Sequence, residues 1–340
     1  MEPFAVLPEA LLPWFRGHAR LLPWRESRDP YRVWVSEIML QQTRVETVTG
    51  YYTRFLDAFP TVEALAEADE DRLFKLWEGL GYYSRARNLQ KAARKIVGQY
   101  GGVFPYDYES VRALPGVGPY TAGAILSICY DRPTAAVDGN VLRVTSRFLN
   151  DSTPIDLPAH KQKITERLES VYPAGNCGMF TQSLMELGAT VCTPRSPKCG
   201  ECPLQKSCLA FAAGTAAALP VKHPKKEKQL VRKTVFLLWY GDELALVRRE
   251  ESGLLGGMWS LPNVDEPLDV EGALRQAEAF GVQPASVLRQ DHKTHVFTHI
   301  RWEMETFTIL CSAKNERFVW RTPDEIRRRY ALPTAFRKCL

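Results

Sequence analysis

The sequence predicts a two-domain protein, an all-α domain followed by an α+β domain, and three observations carry that reading. Up to about residue 213 apolar residues recur at helical spacing; beyond about residue 231 they fall into short β-rich runs. Between the two lies a small-residue, proline-punctuated and then basic stretch, "AAGTAAALPVKHPKKEKQLVRK", which reads as a linker over 214–230. At 340 residues the chain is long enough for two domains, and 45% hydrophobic with 24% charged residues is a globular composition. No window reaches roughly eighteen uninterrupted apolar residues, so no membrane span is expected. The first residues lack a basic segment before an apolar one, so the thiols are expected in a reducing, cytoplasmic setting. A net charge of +5 suits a polyanionic partner without requiring one.

Taken in order, "PYRVWVSEIMLQQTRVETVTGYYTRFLDAF" places Val33, Ile38, Val45, Val48, Tyr52, Phe55 and Leu56 on the faces of two consecutive amphipathic helices. "TVEALAEADEDRLFKLWEGLGYYSRARNLQKAARKIVGQYGG" gives three more, broken around Asp69 and at Gly79–Gly81 and closed by Gly101–Gly102. "PAHKQKITERLESVY" and "MFTQSLMELGATVC" add two. In the second domain "TVFLLWY", "ELALVRRE", "MWSLPNV" and "THIRWEMETFTIL" read as strands, and "PDEIRRRYAL" as a late helix.

Three motifs carry chemistry. In "LPGVGPYTAGAILSICY" Gly116, Val117 and Gly118 make a tight turn, and a helix begins at Pro119. Backbone N–H groups exposed at such a helix start grip a phosphate without reading bases, which is the signature of a helix-hairpin-helix, here over about 108–130. "VCTPRSPKCGECPLQKSC" holds four of the eight cysteines, spaced Cys192-x6-Cys199-x2-Cys202-x5-Cys208. Disulfides do not suit a reducing compartment, and zinc usually shows two short knuckles rather than one Cys-x2-Cys. Four thiolates on one loop suit a cubane iron–sulfur cluster. The third motif is a pair of carboxylates. Asp138 in "VDGN" precedes a helix and reads equally as a plain N-cap. Glu37 sits among Trp34, Val35, Ile38 and Met39, where a dry setting would raise its pKa; a solvent-facing glutamate is the simpler alternative.

The hairpin "LPGVGPYTAG", the "VDGN" aspartate and the four-cysteine loop, in that order, resemble the endonuclease III superfamily of DNA glycosylases over nearly the whole first domain. "LPWRESRDPYRVWVSEIMLQQTRVETV", "GLGYYSRARNL" and the appended β-rich domain look like the adenine DNA glycosylases of the MutY family within it. The resemblance implies an all-α helix-hairpin-helix glycosylase domain (1–213) with a [4Fe-4S] loop, then a MutT-like, Nudix-fold lesion-recognition domain (231–340). It implies double-stranded DNA with an adenine:8-oxoguanine mispair as the substrate, a monomer as the working form, and the bacterial nucleoid as its place.

By the same resemblance Glu37 is the general acid, Asp138 stabilises the sugar cation, and Tyr120 and Asn140 assist. Trp24, Arg25 and Gln182 map onto the adenine pocket; by residue type Trp24 is equally a core residue. Leu40, Gln42, Thr43, Leu80 and Tyr82 correspond to the groups that surround 8-oxoguanine and wedge into the stack. Phe297, Thr298 and His299 match the family's Phe-Ser-His loop, with threonine in place of serine; on residues alone they are ordinary fold contacts. Where endonuclease III-like enzymes carry a Schiff-base lysine this chain has Tyr120, so base removal without strand cleavage is expected. The "GLLGGMWSLPNVDEPLDVEGALRQAEAFGV" stretch lacks the Nudix glutamate pattern, so the second domain is expected to read rather than hydrolyse. A glycosylase/lyase and a silent mismatch-binding protein are the competing readings.

Overall fold

The computed structural model describes residues 2–224 and 227–340. The chain divides into two compact units, Met1–Glu67 with Asn88–Pro224, and Ala68–Arg87 with Lys225–Leu340. Its helices in order are α1 (Val6–His18), α2 (Pro30–Leu40), α3 (Val45–Ala58), α4 (Val62–Ala66), α5 (Glu70–Trp77), α6 (Ser84–Tyr100), α7 (Tyr108–Arg112), α8 (Pro119–Tyr130), α9 (Gly139–Leu149), α10 (Pro158–Glu169), α11 (Cys177–Thr190), α12 (Leu209–Ala212), α13 (Val270–Ala279), α14 (Pro323–Arg329) and α15 (Thr334–Arg337). The strands, all in the second unit, are β1 (Gln229–Tyr240), β2 (Glu243–Arg248), β3 (Trp259–Ser260), β4 (Asn263–Val264), β5 (Pro284–Val296), β6 (Ile300–Cys311) and β7 (Val319–Arg321).

The first unit is helical, as its periodicity predicts. α1, absent from the sequence reading, supplies Leu7 and Leu11 to a core shared with Val144 and Phe148 of α9 and Phe180, Leu184 and Leu187 of α11. α8 is apolar nearly all round and buried from Thr121 to Ile128, which places it at the centre of the unit. α2 begins at an Asp29 cap that accepts from the Arg32 amide, with Pro30 in the first turn, and buries every residue from Val33 to Met39. The linker expected over 214–230 differs: its first part packs on this unit, with the Ile155 amide on the Val221 carbonyl (3.1 Å) and His223 on Asp156 (2.9 Å). β1 then starts at Gln229. Lys225 and Lys226 of that basic run lie outside the described residues.

In the second unit the sheet order is β3-β2-β1-β6-β5, with β4 on β1 and β7 on β2. β1 and β6 run parallel along their whole length, and the remaining pairs are antiparallel. Val235 and Leu237 face one core with Trp302, Met304 and Phe336; Phe236 and Leu238 face the other with Phe307, Ile309 and Ala277 of α13. Burial on both faces is why "TVFLLWY" reads as a continuous apolar run rather than an alternating one. No apolar run in the sequence announces β5, which is mostly exposed and polar. The segment 68–87, expected with the first domain, groups here instead. Trp259 Nε1 donates to Asp71 (3.0 Å), Arg248 to Glu70 (2.7 Å), Lys75 to the Tyr330 carbonyl (3.2 Å) and the Leu332 amide to Glu78 (3.0 Å).

Candidate active site

A cavity of about 620 Å³ opens in the first unit, and its walls bring together Trp24, Arg25, Glu37, Leu40, Gln42, Thr43, Tyr120, Asp138, Asn140 and Gln182. Glu37, on the buried face of α2, is 5% exposed, so the solvent-facing alternative fails. Burial pushes its carboxyl up to about 7; the Tyr120 hydroxyl opposes this, Asp138 adds to it and Arg25 opposes it. Tyr120, in the first turn of α8, donates its hydroxyl to Glu37 Oε2 at 2.7 Å. Burial and the two carboxyls hold its own pKa well above the ordinary value.

Asp138 is both things the sequence allowed. It caps α9, Oδ1 accepting from the Asn140 and Val141 amides at 2.9 and 2.8 Å, and it lines the cavity. Oδ2 accepts from Asn140 Nδ2 at 2.8 Å. Burial raises its pKa, against the opposing pull of these donors and of Arg143. Three N–H donors support a charge on Asp138, whereas Glu37 has a single O–H donor. The environments therefore divide two carboxyls into a holder of charge and a holder of protons.

Sequence reasoning missed what supports this pair. Arg143, 8% exposed, donates to Asn140 Oδ1 (2.8 Å), the Gly188 carbonyl (2.6 Å) and the Cys192 carbonyl (2.8 Å). Asn140 also needs Gly188 on α11, because a Cβ there would lie 2.6 Å from the Asn140 Cβ. Arg143 stands three positions after Asn140, one helical turn on, which is the signal that could have found it. Glu186 and Arg20 also line the cavity and were not singled out; Glu186 stands four positions after Gln182 on the same helix face. Trp24 is 8% exposed, edge-on to Tyr52 at 5.5 Å, so it is a core residue with one side on the cavity.

The other predicted residues lie elsewhere. Gly116 turns with φ +77°, Val117 is buried with its amide on the Leu114 carbonyl (3.1 Å), and Gly118 caps α8, whose first-turn amides follow. In the second unit Leu80 is 6% exposed and packed inside, while Tyr82 is 45% exposed, at φ +47°. The Tyr82 hydroxyl shares a hydrogen bond with Thr298 Oγ1 at 2.7 Å. Thr298 and His299 are exposed in the turn between β5 and β6. The Phe297 ring packs against His295 and Trp302 at 4.5 and 4.8 Å, a fold contact as its residue type suggests.

All eight cysteines are free of disulfides. Cys192, Cys199, Cys202 and Cys208 line one small cavity together with Arg147. Four thiols around a shared space are the donor set of a thiolate-bound cluster. Arg147 is 2% exposed, and its partners are the carbonyls of Thr193 (2.7 Å), Pro194 (3.0 Å) and Leu219 (3.0 Å) and the Cys192 sulfur (3.3 Å). Among the described residues this buried cation has no carboxylate partner, and a thiolate-ligated cluster would supply the negative charge it calls for. The residues present fit that group.

The chain is similar to known proteins in each of its parts. Residues 35–173 match the HhH-GPD superfamily of base excision DNA repair proteins, 192–208 the iron–sulfur binding domain of endonuclease III, and 234–340 the NUDIX domain. The chain is 37% identical to an adenine DNA glycosylase of Mus musculus, over 88% of this chain and 69% of that one. It is 34% identical to an adenine DNA glycosylase of Buchnera aphidicola subsp. Baizongia pistaciae, over 78% and 76%. Among solved structures a thermostable thymine-DNA glycosylase is similar at TM-score 0.58 and 30% identity, covering 62% of this chain and 97% of that one. A trapped endonuclease III–DNA covalent intermediate shares the fold at TM-score 0.52 and 24% identity, covering 61% and 94%.

Proposed function

We propose that this chain, which belongs to the adenine DNA glycosylase family, excises adenine from an adenine:8-oxoguanine mispair and leaves the strand intact. It is a base-excision DNA glycosylase, a hydrolase of N-glycosyl bonds, and it carries a [4Fe-4S] cluster. DNA is its partner. The observation that carries the finer reading is the pair of buried carboxyls on a single cavity, Glu37 with one O–H donor and Asp138 with three N–H donors.

Adenine is a poor leaving group until a ring nitrogen is protonated, and its departure leaves an oxocarbenium-like sugar. In this reading Glu37 protonates N7 of a flipped-out adenine and Asp138 stabilises the cation at C1′. Tyr120 fixes the Glu37 carboxyl, Asn140 fixes Asp138, and water completes the hydrolysis. Trp24, Arg25 and Gln182 receive the base. Leu40, Gln42, Thr43, Leu80, Tyr82 and the Phe297–His299 turn attend to the opposite strand, with the Tyr82–Thr298 bond supporting a shared role for those two. Gly116, Val117 and Gly118 present backbone to phosphate. Cys192, Cys199, Cys202 and Cys208 would hold the cluster, whose part is to order a loop bearing the exposed Arg195 and Lys198.

The functional division proposed is a glycosylase domain over 1–213, a linker and a reading domain over 231–340, acting as a monomer in the bacterial nucleoid. No described helix is long and apolar enough to cross a membrane. A single-turnover assay on a duplex with adenine opposite 8-oxoguanine tests the reading. Breakage only after alkali, lost in Glu37→Gln, is expected; breakage without alkali would mean a lyase, and binding without breakage a silent reader.

A further inference from the structure

Glu186 shares the cavity with Glu37 and Asp138, and its side chain is wholly buried. It accepts from Arg20 Nε (2.6 Å), Arg20 Nη2 (3.0 Å), the Arg20 amide (3.2 Å) and Arg25 Nη2 (2.7 Å). Arg25 Nη1 is further tied to the Arg20 carbonyl at 3.1 Å, and its guanidinium lies over the Phe15 ring. Two cations thus share one carboxylate, leaving a single net positive charge beside a carboxyl that must stay protonated to act. Arg25 already favours the ionised form of Glu37. Arg25 freed from Glu186 would be left with Glu37 and Asp138 as the other acids lining the same cavity.

We propose that Glu186 is a positioning residue that holds Arg20 and Arg25 away from Glu37, so that Glu37 keeps the proton it gives to the departing base. The proposal rests on the acid role assigned to Glu37 above. Glu37 is faced by Tyr120 and Cys129 from α8, Asp138 at the start of α9 and Arg25 before α2; Lys161 of α10 and Arg20 line the same cavity, and Arg143 acts on Asp138. Glu46 of α3 acts on Arg20. Glu186 is the acid that both arginines share.

The test is the pH profile of the single-turnover rate. A rate that needs protonated Glu37 falls as pH rises through its pKa. In Glu186→Gln that fall moves to lower pH. For a movement of about one pH unit, the loss above neutrality exceeds the loss below it by about fivefold. Glu186→Asp keeps the charge and leaves the position unmoved. Arg20→Gln alone moves it to higher pH, a result that stands even if Glu186→Gln does not fold. Uniform loss at every pH in Glu186→Gln, or an unmoved profile in Arg20→Gln, would overturn the proposal and show a structural ion pair. Glu37→Gln separates the two claims: if excision and its fall with pH persist there, the acid assignment itself fails and this inference with it. If excision is lost there yet the fall stays fixed in Glu186→Gln, only this inference fails.

Discussion

Asp138→Asn separates the two roles that one carboxylate holds. As an N-cap, Asn is about equal to Asp, so the bonds to the Asn140 and Val141 amides survive on the new amide oxygen. What is lost is the bond from Asn140 Nδ2 to Oδ2, worth about 1 kcal/mol, and the cost of a buried charge disappears with it. Folding stability should therefore stay within about 1 kcal/mol of wild type. The chemistry should not. A unit charge ~4 Å from a developing sugar cation is worth about 4 kcal/mol at an effective dielectric of ~20, which is about a thousandfold in rate. The assay is single-turnover excision at saturating enzyme, run beside chemical denaturation of the same sample. Asp138→Ala serves as the contrast, losing the cap at a cost of about 1 kcal/mol as well as the rate. If Asp138→Asn retained the rate within about tenfold at unchanged stability, Asp138 would be a cap and nothing more.

Three further outcomes follow from the same geometry. Glu37 has a folded pKa of about 7 against an ordinary 4.5, so its contribution to stability is full below about 4.5 and declines as pH rises to about 7. Glu37→Gln should thus be inactive yet more stable than wild type at alkaline pH, by up to about 3 kcal/mol, and this gain should vanish in acid denaturation series. Gly188→Ala forces a methyl against Asn140 and should slow excision at least tenfold while costing about 1–3 kcal/mol, read by parallel kinetics and melting. Cys199→Ala should lower bound iron and destabilise the 192–208 loop, seen as loss of the cluster's visible absorbance and faster proteolysis there.

Local features are legible in the chain: the helical and β textures, the hairpin turn, the crowded cysteines and the cap that Asp138 makes. These are legible because their partners lie within a helical turn or two, as the Asp138 bonds to residues 140 and 141 show. Only the tertiary structure decided which groups set the chemistry. Glu37 owes its proton affinity to burial, held in check by Tyr120, 83 positions away, and Glu186 meets Arg20 across 166. The segment 68–87 joins the second unit through contacts near 188 positions long, such as Trp259 to Asp71, which no local pattern announces. A carboxyl's pKa depends on the dielectric and charges around it in space, and a chain written in a line carries neither.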